Sequence, residues 1–183
     1  MHERGPHRLF FALVPGESLS GRIAQVAARL VATAPGAGRR VDPARYHMTL
    51  RFLGGFRALE PTLLEALRGA VQGLHAASFS FELDQAGSFR NRSIPWWLGC
   101  AEPPPPLAAL RAALEDVLQG SGVRMPAVPS FVPHVTVVRD AACLLPTRAI
   151  EPLEWRAASL ELIHSDASAA HAHARLSSWP LVS

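Results

Sequence analysis

The chain has 183 residues, of which 49% are hydrophobic and 18% charged, so it can bury a sizeable core and its composition excludes a disordered chain. The net charge of +3 and the sequence pI near 9.6 are compatible with a phosphate-bearing ligand but do not require one. All 18 basic residues are arginine, and a chain without lysine has neither a Schiff-base lysine nor a Walker-type phosphate loop.

Apolar periodicity and turn residues predict strands mixed with three helices. In chain order we expect a strand over residues 8–14, a helix over 18–33, a strand over 46–53, a helix over 61–74, strands over 78–86 and 96–100, a helix over 103–120, a strand over 133–139, and a closing hairpin of 153–164 and 171–179. Half-buried, alternating strands of this kind are typical of an α+β fold with antiparallel sheets.

Two of the predicted strands carry the same short pattern. It occurs as His47-Met48-Thr49-Leu50 and again as His134-Val135-Thr136-Val137. Side chains two residues apart lie on one face of a strand, so each copy presents an imidazole and a hydroxyl side by side over an apolar backing. Either copy alone is compatible with an ordinary surface strand. Both together favour a catalytic site.

Three further residues are candidates for contact with a substrate phosphate or base. Arg51 has the parity to extend the face of the first motif, where it would lie beside Thr49 and bind phosphate. Arg139 follows the second motif, but its parity is wrong for that face unless the strand ends or bulges there. Trp97 is a candidate for stacking on a base, although only one face of its strand can meet a cleft.

The stretches YHMTLRFLG (46–54) and PHVTVVR (133–139) resemble the two HxTx motifs of the 2H phosphoesterase superfamily. The nearest resemblance within it is to the RNA 2′,3′-cyclic phosphodiesterases, the LigT-like or ThpR family of 2′-5′ RNA ligases. The early strand FFALVP and the late Trp179-Pro180-Leu181 add to the likeness, which spans nearly the whole chain. The resemblance implies a bilobal α+β fold, with two antiparallel sheets, outer helices and pseudo-two-fold symmetry around a central cleft, in one domain over residues 1–183.

The resemblance also implies roles for the motif residues. His47 would be the general acid that protonates the leaving O3′, and His134 the general base that takes a proton from water. Thr49 and Thr136 would hold the phosphate oxygens. The implied reaction opens RNA-terminal 2′,3′-cyclic phosphates to 2′-phosphates, with weak reverse 2′-5′ ligation as a family activity. Two histidines on opposite sides of a phosphate suit this in-line displacement, since imidazole has a pKa near 6.5 and can serve as acid or base.

Neither a metal nor a cofactor is expected. His171 and His173 share a face by spacing and His164 is near in sequence, but histidines without carboxylate or thiolate partners are more often incidental than metal ligands. This segment also lacks the glycine-aromatic pattern that the family usually carries. The opening apolar run is too short for a membrane span or signal peptide, so we expect a cytoplasmic protein with no membrane partner.

Two alternatives to RNA-end hydrolysis remain open. The same pair of histidines would also open cyclic phosphates on small nucleotides, such as an ADP-ribose cyclic phosphate. A non-catalytic module that binds RNA ends is the other alternative, although binding alone does not require a paired acid and base. The expected partners are therefore RNA 3′ ends with a 2′,3′-cyclic phosphate or small cyclic nucleotides, bound by a monomer.

Overall fold

The structure of the protein is a computed structural model that describes residues 5–127, 130–166 and 173–182. The described elements are, in chain order, β1 (His7–Leu13), α1 (Glu17–Ala32), β2 (Arg39–Arg40), a 3-10 turn (Pro43–Arg45), β3 (Met48–Phe56), α2 (Pro61–Gln72), β4 (Phe79–Ser88), β5 (Ile94–Gly99), α3 (Pro105–Gln119), β6 (His134–Ala141), β7 (Arg148–Ala157), β8 (Ser159–Asp166) and β9 (His173–Pro180). None of the helices in these ranges is long and apolar enough to cross a bilayer.

The strands form one antiparallel sheet in the order β7-β4-β5-β6-β3-β1-β8-β9, with the short β2 added to β6. The sheet consists of two four-stranded halves, because β3 and β6 are joined by a single residue pair, Met48 with Val135. The expected α+β fold with antiparallel sheets is therefore confirmed. The two expected sheets are continuous at this one pair, and β3 and β6, the strands of the two motifs, lie at the centre.

Helices α1 and α3 show the apolar faces that the sequence predicts. In α1, Ile23, Val26, Ala27 and Leu30 are buried, and in α3 the four leucines from Leu107 to Leu118 are buried as well. They join one apolar core with residues from both halves of the sheet. Burial of such a leucine stabilises the fold by roughly 2 kcal/mol, so the helices hold the sheet from one side and leave its other face to the site.

The closing hairpin differs from the sequence prediction. The segment 153–164 is not one strand: it divides at Ala158 into β7, which pairs with β4 in one half, and β8, which pairs with β1 and β9 in the other. The chain thus passes between the two halves at Ala158. The hairpin of β8 with β9 is as expected, except that the residues joining its strands lie outside the described part of the chain.

Strand β3 has a bulge inside the first motif. Ala12 of β1 pairs with Thr49, but the next residue, Phe11, pairs with Arg51, so Leu50 has no partner opposite it. An extra residue of this kind reverses which side chains face each side of the sheet, here as far as a second irregularity at Leu53. The simple alternation read from the sequence therefore holds only as far as Thr49.

Strand β6 has the same bulge at the same place in the second motif. Trp97 of β5 pairs with Thr136, and Trp96 pairs with Val138, which leaves Val137 unpaired across the strands. In both copies the bulged residue is the third after the motif histidine. The two halves of the sheet thus repeat each other in their irregularities as well as in their strands, as the expected pseudo-two-fold symmetry requires.

Candidate active site

The two motif histidines lie where the halves of the sheet meet. Met48 and Val135, which form the joining pair, are fully buried. Each follows a motif histidine, so His47 and His134 point to the opposite face of the sheet. They are close enough that a charge on His134 lowers the pKa of His47.

The joining pair also fixes how the two motifs face each other. Only Met48 and Val135 pair between these strands, and continuing that antiparallel register by one residue in each direction would set His47 across from Thr136 and Thr49 across from His134. Cross-strand neighbours have Cβ atoms about 5 Å apart and diagonal neighbours about 7–8 Å apart. The two imidazoles therefore occupy one diagonal of a four-residue cluster and the two hydroxyls occupy the other. A phosphate over its centre would meet all four side chains.

Both imidazoles are held by the same contact. Nδ1 of His47 lies 2.8 Å from the carbonyl oxygen of Arg45, and Nδ1 of His134 lies 2.7 Å from that of Val132. A carbonyl only accepts, so each Nδ1 carries the hydrogen and donates it to the residue two positions earlier. Nε2 is left in both rings as the atom that gives or takes a proton. The two rings thus present matching nitrogens to the cleft.

Burial sets the protonation of both rings. It lowers the pKa of His47 to about 4, with the carbonyl of Arg45 opposing the shift and nearby positive groups adding to it. Burial also lowers the pKa of His134, against the carbonyl of Val132. Both imidazoles are therefore neutral at pH 7 before a ligand binds. An anion between them would favour their protonated forms.

Aromatic rings support each histidine. The ring of Phe10 stacks on His47 with centroids 4.7 Å apart, and Phe89 meets His134 edge-on at 4.8 Å. His173 of β9 also stacks on His47, at 5.3 Å. Flat neighbours at these distances restrict how far the imidazoles can turn.

The partners of Arg51 do not support the expected phosphate contact, although Arg51 is among the residues that line a cavity on the side of His134. The bulge at Leu50 turns Arg51 to the helix side of the sheet, where its side chain is 5% exposed. Its Nε lies 3.1 Å from Oε1 of Glu115 on α3, and one of its terminal nitrogens donates to the carbonyl of Pro126 at 2.9 Å. These contacts tie β3 to α3 and occupy the guanidinium of Arg51. Phe52 takes the place on the cleft face that parity assigned to Arg51.

The second bulge has the opposite effect on Arg139. With Val137 as the extra residue, Arg139 moves onto the face of His134, and it lines a cavity together with His47 and Thr49. Arg139 and Phe52 hold equivalent positions, five residues after their motif histidines. From the sequence, Arg139 could reach this face only if the strand ended or bulged after the motif, and the structure shows such a bulge at Val137.

A positively charged cavity of about 160 Å³ opens beside His47. Its lining includes three arginines and two histidines, and none of its lining residues is acidic: Arg8, Phe10, Val41, Arg45, His47, Thr49, Phe52, Arg139, Ser165 and His173. Desolvation and the neighbouring Arg45 and Arg8 lower the pKa of Arg139 from its ordinary value. Such a concentration of positive groups favours an anion.

A more apolar cavity of about 300 Å³ lies on the side of His134. Thr49 and Phe52 line both cavities and separate them. The wall of the second cavity includes Phe131. The guanidinium carbon of Arg111 lies over the Phe131 ring, 4.6 Å from its centroid. One side of the four-residue cluster therefore suits charged groups, and the other suits a flat apolar group.

Trp97 does not offer an open surface for stacking. It faces the cleft side, opposite Thr136, but is only 7% exposed, and Phe89 packs against it with centroids 5.5 Å apart. It lines neither cavity. Direct contact with a base is therefore not supported by its position, and Trp97 supports Phe89, which in turn contacts His134. Trp96 is fully buried in the core.

Sequence reasoning missed Arg8, Arg45, Phe10 and the cleft position of His173. Arg8 and Phe10 alternate along β1 toward the cleft, but both faces of β1 are apolar from Leu9 onward, so alternation gave no signal. Arg45 precedes the first motif by two residues, and its proximity to His47 was the one available clue. His171, which was paired with His173 by spacing, lies outside the described residues.

Comparisons with known proteins show the family of the chain. The family model described as the 2′-5′ RNA ligase superfamily matches residues 15–169. The chain is 35% identical over 138 residues to the RNA 2′,3′-cyclic phosphodiesterase of Escherichia coli (strain K12), covering 75% of this chain and 74% of that protein.

Solved structures extend the likeness to the whole fold. E. coli LigT complexed with 3′-AMP superposes with a TM-score of 0.79 and 28% identity, covering 97% of this chain and 99% of that one. E. coli LigT complexed with phosphate gives 0.74 and 28%, covering 98% and 99%. With the matched motifs, the repeated bulges and a family model that spans most of its length, the chain belongs to the 2′-5′ RNA ligase superfamily.

Proposed function

We propose that the protein hydrolyses RNA-terminal 2′,3′-cyclic phosphate to a 2′-phosphomonoester by two-histidine acid/base catalysis, without a metal. The observation that carries the proposal is the matched pair of imidazoles. His47 and His134 are fixed by the same Nδ1–carbonyl contact and flank one cluster of hydroxyls, with Nε2 of each ring left for proton transfer. The activity named for the E. coli relative is the reaction this arrangement suits.

In the proposed mechanism the phosphate lies over the cluster, held by Thr49, Thr136 and Arg139. Nε2 of neutral His134 takes a proton from the attacking water, and Nε2 of protonated His47 gives one to the departing O3′. The P–O3′ bond breaks as the new P–O bond forms in line with it. An RNA 5′-hydroxyl in place of water would give the 2′-5′ linkage of the weak ligase activity.

Substrate binding supplies the protonated state of His47. With a pKa of about 4 in the free protein, its imidazole is almost wholly neutral at pH 7. A phosphodiester anion beside it adds a favourable charge interaction and raises that pKa. The proton is thus taken up together with the substrate. Water bound alone in the cleft would meet two neutral rings and no acid.

The two cavities favour an RNA end over a bare mononucleotide. A terminal nucleoside needs one flat apolar pocket, which the cavity at Phe131 provides. An RNA chain brings a second phosphate, and the cavity with Arg8 and Arg45 is suited to receive it. ADP-ribose cyclic phosphate also carries additional phosphates, so it remains the second candidate substrate for the same reason.

The test is hydrolysis of an oligonucleotide 2′,3′-cyclic phosphate in the presence of chelator, with the product identified as the 2′-phosphate by mass and 31P NMR. We expect His47→Ala and His134→Ala each to lower kcat by at least about 10²-fold. His75→Ala, an exposed histidine outside the cleft, is the matched control. Near wild-type turnover in both cleft variants would refute the mechanism.

The same assay separates the substrate classes. Measured side by side, kcat/KM for the oligonucleotide should exceed that for the 2′,3′-cyclic mononucleotide, and a cyclic phosphate of ADP-ribose completes the comparison. Tight binding of RNA ends with no turnover at any pH would instead support the non-catalytic alternative.

A further inference from the structure

A second cluster of ionisable side chains lies outside the catalytic cleft, at the end of β1 and β8. His7, His164 and Asp166 each direct one ligand-type atom to a common point, with all three atoms within 4.8 Å of one another. His7 pairs directly with Asp166 across the strands, and His164 lies two residues from Asp166 on the same face. Side chains alternate along β1, so His7 lies on the face opposite that of Phe10, which contacts His47. The cluster is therefore on the opposite face of the sheet from the cleft.

Two of the three separations in the cluster are close to those between metal ligands. Nδ1 of His7 is 3.1 Å from Nε2 of His164 and 3.6 Å from Oδ2 of Asp166. Four ligands about 2.0–2.1 Å from a tetrahedral zinc ion lie about 3.3–3.4 Å from one another. The separations from His7 lie within about 0.3 Å of that value, and the third, between His164 and Asp166, is no more than 4.8 Å.

The composition of the cluster also suits a divalent ion. Two imidazoles and one carboxylate form a set that zinc accepts, with the fourth tetrahedral position left for water. At 3.1 Å, Nδ1 of His7 and Nε2 of His164 can form a hydrogen bond only if one of them carries a hydrogen. A metal ion bound to both nitrogens would take the place of that hydrogen.

We propose that His7, His164 and Asp166 form a zinc-type divalent cation site that is separate from the phosphoesterase centre. An ion there links the start of β1 to the end of β8. Both strands lead to the cleft, since β1 carries Phe10 and β8 pairs with β9, which carries His173. The ion therefore stabilises the half of the sheet that supports His47, and the chemistry at the phosphate proceeds without it.

The experiment is a titration of the chelator-treated full chain with Zn²⁺ by calorimetry and with Co²⁺ by visible absorption, which is strong for tetrahedral sites. We expect one equivalent to bind with the tetrahedral Co²⁺ spectrum and to raise the Tm. His164→Ala and the conservative Asp166→Asn should each weaken binding by at least about 10-fold. His75→Ala, an exposed histidine outside the cluster, should bind as the wild type does.

His47→Ala tests whether the ion binds in the cleft instead. Binding that is lost in His47→Ala, binding that persists unchanged in His164→Ala and Asp166→Asn, or no saturable binding by the wild type would each overturn the proposal. Retained phosphodiesterase activity of His164→Ala and Asp166→Asn in chelator shows that these variants are folded, and it separates this inference from the proposed catalytic function.

Discussion

The low pKa of His47 makes a prediction about stability that can be tested without a substrate. Replacing His47 by Asn removes the ionisable group, while the amide nitrogen of Asn can still donate to the carbonyl of Arg45, as Nδ1 does. The variant thus changes the charge behaviour of this position more than its packing. Comparison with the wild type isolates the contribution of one imidazole to the pH dependence of unfolding.

The direction and size of the effect follow from proton linkage. The unfolded chain binds a proton at His47 as the pH falls below about 6.5, whereas the folded protein does not do so until about pH 4. Between these values the unfolded state holds more protons, so stability decreases as the pH decreases. A difference of 2.5 pKa units corresponds to about 3 kcal/mol, fully present above pH 6.5 and lost as the pH approaches 4.

The assay is urea denaturation of the wild type and His47→Asn at half-unit steps from pH 7.5 to pH 4. The difference in unfolding free energy between the two proteins should shift by about 3 kcal/mol in favour of the variant over this range. Other titrating groups are common to both proteins and cancel in the difference. Parallel curves would show that His47 has an ordinary pKa in the folded state and would refute the account of a desolvated imidazole.

Two further predictions concern the arginines that the bulges separate. In steady-state assays, Arg139→Gln should lower kcat/KM on a 2′,3′-cyclic phosphate by roughly 10- to 100-fold, because it removes a charged hydrogen bond worth about 1.5–3 kcal/mol. Arg139→Lys should give a value between those of the wild type and Arg139→Gln. Arg51→Met should leave kcat within about threefold but lower the unfolding free energy by about 2–4 kcal/mol in urea denaturation, because it leaves Glu115 without its ion-pair partner. Arg51→Met combined with Glu115→Leu should recover much of that stability, and a large loss of kcat in Arg51→Met would place Arg51 back at the phosphate.

The family, most of the helices and strands, and the two candidate catalytic histidines could be predicted from the sequence alone. These features depend on local patterns: His and Thr two residues apart in a strand, an apolar backing, and leucines at helical spacing in α3. Each pattern is complete within about ten residues. The matched orientation of His47 and His134 follows from the same local geometry, because each donates to a carbonyl only two residues earlier.

Only the tertiary structure decided which side chains beyond the motifs reach the cleft. A bulge is a property of two paired strands, and neither β3 nor β6 carries a glycine or proline at the bulged position that would have marked it. In each strand that one extra residue changes the arginine's partners: the guanidinium of Arg51 meets Glu115, and Arg139 reaches the cavity beside His47. The division at Ala158 and the approach of His173 to His47 depend likewise on strand pairing between distant parts of the chain, which single-strand periodicity does not contain.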